Sequence, residues 1–256
     1  MKFIILGCGS SMGVPRSDGF FGKCDPKNKK NYRSRCSALL KTKNENILFD
    51  TSPDLRNQLL KNNIKNVNRV FYSHMHADQT HGINDLRIFF LKNKKTIPVY
   101  ADNKTKKYLV KTFGYCFYSK NSEYPATLKF QRLKKSFLIG KSKEKINIRS
   151  FPVKHGTINS TCYIINEKLA YISDVNNFFP KNEKYLYDLK YLIIDCLRYE
   201  YHPSHFNLEE VLKLIKKLKP KKAILTNLHS DLDYKILKNK LPKNIAPAYD
   251  GLTLTL

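Results

Sequence analysis

The sequence predicts an α/β fold in one domain spanning residues 1–256, and three observations predict it. Short runs of β-forming residues recur along the whole chain, and segments with helical period stand between some of them. The early part is strand-rich, while the later part alternates strands with helices. No Gly/Ser-rich or Pro-rich stretch separates two halves, so the elements are expected to share one packed unit.

Taken in order, the strand candidates are Lys2 to Leu6, Ser37 to Lys41, Asn46 to Phe49, Arg69 to Tyr72, Pro98 to Tyr100, Ile146 to Phe151, Cys162 to Ile165, Leu169 to Ile172, Tyr191 to Ile194 and Ala223 to Leu225. Most are dominated by apolar, β-branched or aromatic residues and all have strand length. Leu55, Leu59 and Leu60 make one apolar helix face after Ser52-Pro53. Proline suits a first helical turn, because the N–H it lacks would have no intrahelical partner there. A clearer helix follows Asn207, where Leu208, Val211, Leu212, Ile215 and Leu218 repeat with helical period and Glu210 completes a capping-box pattern. Pro220 marks its end. The Lys-rich stretch from Asn103 to Lys145 shows no regular pattern and reads as an insertion or lid.

With 256 residues, 41% of them hydrophobic and 12% aromatic, the chain can fill a substantial core. No apolar run approaches the roughly 18 to 20 residues of a membrane-spanning helix, so no membrane is expected as a partner. Met1-Lys2 and the apolar residues after them resemble a lipoprotein leader, but the run is shorter than the roughly 7 to 15 residues of a secretory core. A strand followed by a Gly/Ser turn is the better reading. The six cysteines (Cys8, Cys24, Cys36, Cys116, Cys162, Cys196) lack CxxC spacing, and four sit among apolar neighbours. Buried reduced thiols and a cytoplasmic location are the expectation. A formal charge of +26 would suit a polyanion partner. The lysines are spread along the whole chain together with abundant Asn and Ile, however, a pattern that A/T-rich coding produces whatever the function. The basic field would still help to attract an anionic substrate.

The strongest chemical signal is Ser73-His74-Met75-His76-Ala77-Asp78-Gln79-Thr80-His81-Gly82, directly after the strand candidate Arg69 to Tyr72. In an extended segment residues i and i+2 project to one side, so His74 and His76 can aim two imidazoles at one ion. Imidazole suits zinc and similar divalent ions, and a carboxylate adds charge or holds a second ion.

This segment resembles the HxHxDH motif of the metallo-β-lactamase superfamily. The likeness continues through His155-Gly156 with Ser160, Tyr171-Ile172-Ser173-Asp174 and Leu225-Thr226-Asn227-Leu228-His229. Leu6-Gly7-Cys8-Gly9-Ser10-Ser11-Met12-Gly13-Val14-Pro15, Cys24-Asp25-Pro26 and Asp50-Thr51-Ser52-Pro53-Asp54-Leu55-Arg56 are similar to the phosphodiesterase branch that contains phosphoribosyl cyclic phosphate diesterase and, further off, ribonuclease Z. The resemblance implies a four-layered αββα sandwich. It implies a first metal on His74, His76 and His155, a bridging Asp174, and Asp78 serving a second metal and orienting the water.

Two departures affect the second position. Gln79 and Asn227 stand where that family has histidines, and an amide oxygen is a weaker, harder ligand than imidazole. The alternatives are one tight metal, replacement ligands from His81 and His229, or a harder ion such as Mn²⁺. One or two ions of Zn²⁺ or Mn²⁺ per chain are therefore expected. The extra structural zinc of near relatives is not expected, because Cys24 stands alone in its segment.

In Arg198-Tyr199-Glu200-Tyr201-His202-Pro203-Ser204-His205-Phe206, the resemblance points to His205 as the general acid, with His202 as competitor. Arg33, Arg35, Arg87 and Arg198 are candidate phosphate clamps. The implied function is hydrolysis of a small cyclic or nucleotide-like phosphodiester. Ribonuclease Z-like RNA processing is the second reading, disfavoured because no Gly, Pro and basic arm for tRNA is visible, and a catalytically silent metal-binding protein is the third. The resemblance also admits a homodimer.

Overall fold

The computed structural model describes residues 1–119, 124–140 and 145–256. Its first sheet begins with β1 (Lys2–Gly7), β2 (Ser37–Lys41), β3 (Asn46–Phe49), β4 (Arg69–Phe71), β5 (Ile97–Ala101) and β6 (Leu128–Arg132). The second sheet holds β7 (Ser136–Ile139), β8 (Ile146–His155), β9 (Ile158–Ile165), β10 (Leu169–Ile172), β11 (Tyr191–Asp195), β12 (Lys222–Thr226) and β13 (Ile245–Pro247). The chain then returns as β14 (Leu252–Thr255) to the free edge of β1. Among the described residues this makes two seven-stranded sheets, ordered β14-β1-β2-β3-β4-β5-β6 and β13-β12-β11-β10-β9-β8-β7. The helices are α1 (Leu55–Lys61), α2 (Ala77–Thr80), α3 (Arg87–Asn93), α4 (Asn103–Phe117), α5 (Pro180–Glu183), α6 (Leu208–Leu218) and α7 (Tyr234–Lys240).

Side-chain alternation explains the layers. Along β1, Phe3 and Ile5 face the second sheet while Ile4 and Leu6 pack with Leu55 and Leu59 of α1. Along β11, Ile193 joins the core between the sheets, while Leu192 and Ile194 meet Val211, Ile215 and Leu218 of α6. Strands apolar on both faces need cover on both sides, and the result is the αββα sandwich.

The expected strands all form, several extended by a residue or more at their ends. The stretch Asn103 to Lys145 differs from the expectation of an irregular insertion or lid. Its first part is α4, whose Leu109, Phe113, Cys116 and Phe117 are buried against the first sheet, and β6 and β7 then supply one edge of each sheet. Residues 120–123 and 141–144 of that stretch lie outside the described residues. All six cysteines are buried and free. Among the described residues no helix is long and apolar enough to cross a membrane.

Candidate metal centre

β3 and β4 run parallel, as do β10, β11 and β12, so their carboxyl ends gather at one rim of the sandwich. Loops at such ends have backbone amides and side chains free to face a ligand. The histidine loop leaves β4 and is pinned to the end of β3: Asp50 Oδ1 accepts from Ser73 N at 2.7 Å, Thr51 N donates to Gln79 O at 2.8 Å, and Gly82 N donates to Thr51 O at 2.9 Å. Any side chain at residue 82 would begin 2.0 Å from the Ser52 carbonyl oxygen, so only glycine allows this approach.

Three imidazoles converge there from distant parts of the chain. His74 Nε2 lies 2.9 Å from His76 Nδ1, and His155 Nε2 lies 3.3 Å from the same atom. His155, the last residue of β8, places its Nδ1 2.8 Å from Ser204 O, which fixes Nδ1 as the donor and leaves the Nε2 lone pair facing inward. Burial pushes His74 down to about 3 and also lowers His76 and His155, so all three rings are neutral at pH 7. Neutral rings with inward lone pairs are what a cation requires. Tetrahedral donors at about 2.0–2.1 Å from zinc lie about 3.3 Å apart, close to these spacings. The donor set therefore fits a divalent metal.

Asp174, at the end of β10, belongs to a second donor group with His155 and His205, whose ligand atoms lie within 4.8 Å of one another. Burial pulls its carboxyl upward, but the imidazoles of His74, His155 and His205 outweigh this and hold it below the usual range. Asp78 stands nearby, pushed up to about 7 by burial and by the charge of Asp174. The Gln79 side-chain nitrogen spans the two, 3.2 Å from Asp78 Oδ2 and 3.1 Å from Asp174 Oδ2. The Asn227 side-chain nitrogen approaches the other oxygen of Asp174 at 3.2 Å.

His205 lies with its Nδ1 2.7 Å from Asp195 Oδ2, and its ring centroid is 4.6 Å from that of His155. Asp195 ends β11, fully buried, and also accepts from Val175 N at 2.9 Å. Partial burial acts to lower His205, but Asp195 outweighs it and raises the imidazole to about 9. Burial in turn lifts Asp195 to about 7, so one proton is retained between Nδ1 and Oδ2 across neutral pH. The opposite nitrogen, Nε2, is left for the pocket. His202 instead pairs its Nδ1 with the Ser204 hydroxyl at 3.1 Å. Asp195 was not singled out in the sequence; its only signal is a carboxylate closing the apolar run Tyr191 to Asp195.

A pocket of about 310 Å³ opens over these groups, lined by His76, Asp78, His155, Asp174 and His205, by Ser10, Ser11 and Met12 of the glycine-rich first turn, and by Arg198 and His202. His229 also lines it, but its Nδ1 pairs with Asp231 Oδ1 at 2.8 Å. His81 pairs its Nε2 with the Tyr108 hydroxyl at 2.9 Å. Neither belongs to the two donor groups found among the described residues.

Three of the four candidate arginine clamps are committed elsewhere. Arg33 is buried and donates to the carbonyls of His229 and Leu232, tying the Cys24 segment to the loop after β12. Arg35 is paired bidentately with Asp54, and Arg87 lies over the Tyr124 ring. Arg198 alone of the four lines the pocket, while donating to Glu200 O and Tyr201 O.

Comparison with known proteins identifies the family and the fold. Residues 45–227 match the family model described as Beta-lactamase superfamily domain. A crystal structure described as a new diphosphatase from the PhnP family is 29% identical, covers 99% of this chain and 97% of its own, and superposes with a TM-score of 0.86. Zn²⁺-bound PqqB from Methylobacterium extorquens shares the fold with a TM-score of 0.76 at 16% identity, with 100% of each chain covered. An octanoyltransferase of Porphyromonas gingivalis is 29% identical over 98% of this chain, which spans about half (51%) of that protein's length.

Proposed function

Because the chain belongs to the beta-lactamase superfamily, we propose that it is a metal-dependent hydrolase of a small phosphodiester, cyclic or nucleotide-like. The observation that carries this reading is the convergence of His74, His76 and His155, whose ligand atoms lie within 4.8 Å of one another, beside a pocket that Asp174 and Asp78 also line. A divalent cation bound by His74, His76 and His155 would supply the Lewis acidity for activating water near neutral pH and polarising a phosphoryl group.

The chain's own residues supply the rest. Asp78 accepts a hydrogen bond from the attacking water and orients it. Asp195 keeps Nδ1 of His205 protonated and its ring fixed, so that Nε2 faces the pocket and donates a proton to the departing alkoxide. Ser10 and Ser11, which also line the pocket, bind phosphate oxygens. The size of the pocket suits a small molecule.

Purified protein supplied with Zn²⁺ or Mn²⁺ is expected to cleave bis(p-nitrophenyl) phosphate, and His76→Ala to abolish cleavage. A diphosphate belongs in the same panel, because a 29% identical structural relative is described as a diphosphatase. Equal turnover by the variant would remove the assignment.

A further inference from the structure

Building on the metal-centre reading above, we propose that the site holds a single divalent cation, on His74, His76 and His155, and that the side-chain amides of Gln79 and Asn227 stand in for a second cation beside Asp174. Neighbouring carboxylates repel each other, and only a positive group between them relieves that repulsion: a metal ion, a shared proton or an N–H donor. Here the group between Asp78 and Asp174 is the Gln79 nitrogen, at 3.2 and 3.1 Å. Ionised carboxylates only accept hydrogen bonds, so the amide must face them with nitrogen; reversed, it would set oxygen against oxygen. This orientation is kept although Gln79 is fully buried and its Oε1 has no hydrogen-bond partner.

The Asn227 nitrogen serves the other oxygen of Asp174 at 3.2 Å. Its backbone is left-handed, with φ of 61°, a conformation that asparagine tolerates better than most side chains. Both oxygens of Asp174 therefore already accept an amide N–H, and an N–H is not a metal ligand. A cation between Asp78 and Asp174 would have to displace the Gln79 nitrogen. Of the imidazoles that could have served it, His81 is paired with Tyr108, while His229 lines the pocket with its Nδ1 held by Asp231 but stands in neither donor group found among the described residues. The donor group His155, Asp174 and His205 shares His155 with the first group, and its His205 is the proton donor of the proposed reaction, so the second group offers no independent set of ligands.

Protein stripped with a chelator and dialysed against Zn²⁺, and separately against Mn²⁺, then measured by elemental analysis, is expected to retain one ion per chain with either metal. The Gln79→His/Asn227→His double variant is expected to retain two. Two ions on the wild type would overturn the inference and leave the hydrolase reading standing; no bound ion would overturn both. A folded double variant still at one ion would show that the amides are not what excludes the second cation. Should it not fold, Gln79→Glu gives the same discrimination with Mn²⁺, since a carboxylate in place of the amide nitrogen offers a ligand, and an unchanged count would equally overturn the inference.

Discussion

Asp195 governs what His205 can do. Its Oδ2 accepts from both the imidazole and Val175 N, so the ring is held in one orientation and one tautomer. In Asp195→Asn the shape is nearly preserved but the negative charge is lost. We expect kcat to fall by about 10²-fold or more with KM little changed, as for loss of general acid catalysis; a raised KM with intact kcat in steady-state kinetics would point instead to a binding role. A second carboxylate acts on stability. Asp54 is half-buried, which raises its pKa, but the bidentate Arg35 guanidinium outweighs this and lowers the folded-state value. The unfolded chain then takes up this proton first as pH falls. The stabilisation is complete above the unfolded value near 3.9 and is lost as pH falls through the folded-state value. Urea unfolding should show wild type more stable than Asp54→Asn at pH 6, with the difference shrinking below about pH 4.

Among the elements, α6 was legible because its information is local. Asn207 Oδ1 accepts from Glu210 N at 2.8 Å, and Glu210 Oε2 accepts from Asn207 N at 3.0 Å, which is the box predicted by their spacing. Asn207 also follows the loop that carries His202 and His205, so this cap fixes where that loop ends. Asn207→Ala is expected to cost about 1 kcal/mol, read as a lower urea midpoint at unchanged slope. Helix α4 was not legible, although it is the longer of the two. Lysines are interleaved with its aromatics, and the non-helical backbone at Phe113 breaks the apolar face in two. The Asp102 cap, accepting from Thr105 N at 2.7 Å, was its one local signal. Strand β6 is defined by pairing with β5, and its own side chains are mostly exposed.

Across the whole molecule the core between the sheets centres on aromatic rings. Phe49 of the first sheet lies 5.3 Å from Tyr163 and 5.8 Å from Tyr171 of the second, and 5.7 Å from Phe3 beside it. Phe49→Ala should leave a cavity shared by both sheets and cost about 3–5 kcal/mol of unfolding free energy, measured in urea. Asp50 follows Phe49 and pins the histidine loop, so weaker packing here should also loosen the metal centre. By itself the sequence determined the strand periods, the α6 cap and the dense histidine motif, because each depends on neighbours a few residues apart. Only the tertiary structure decided that Asp195 meets His205, that Arg35 belongs to Asp54, and that the Gln79 and Asn227 amides face Asp174 while His81 pairs with Tyr108 and His229 with Asp231. Those pairings depend on the direction in which a side chain leaves a packed strand end, and sheet packing sets that direction through residues far away in the chain.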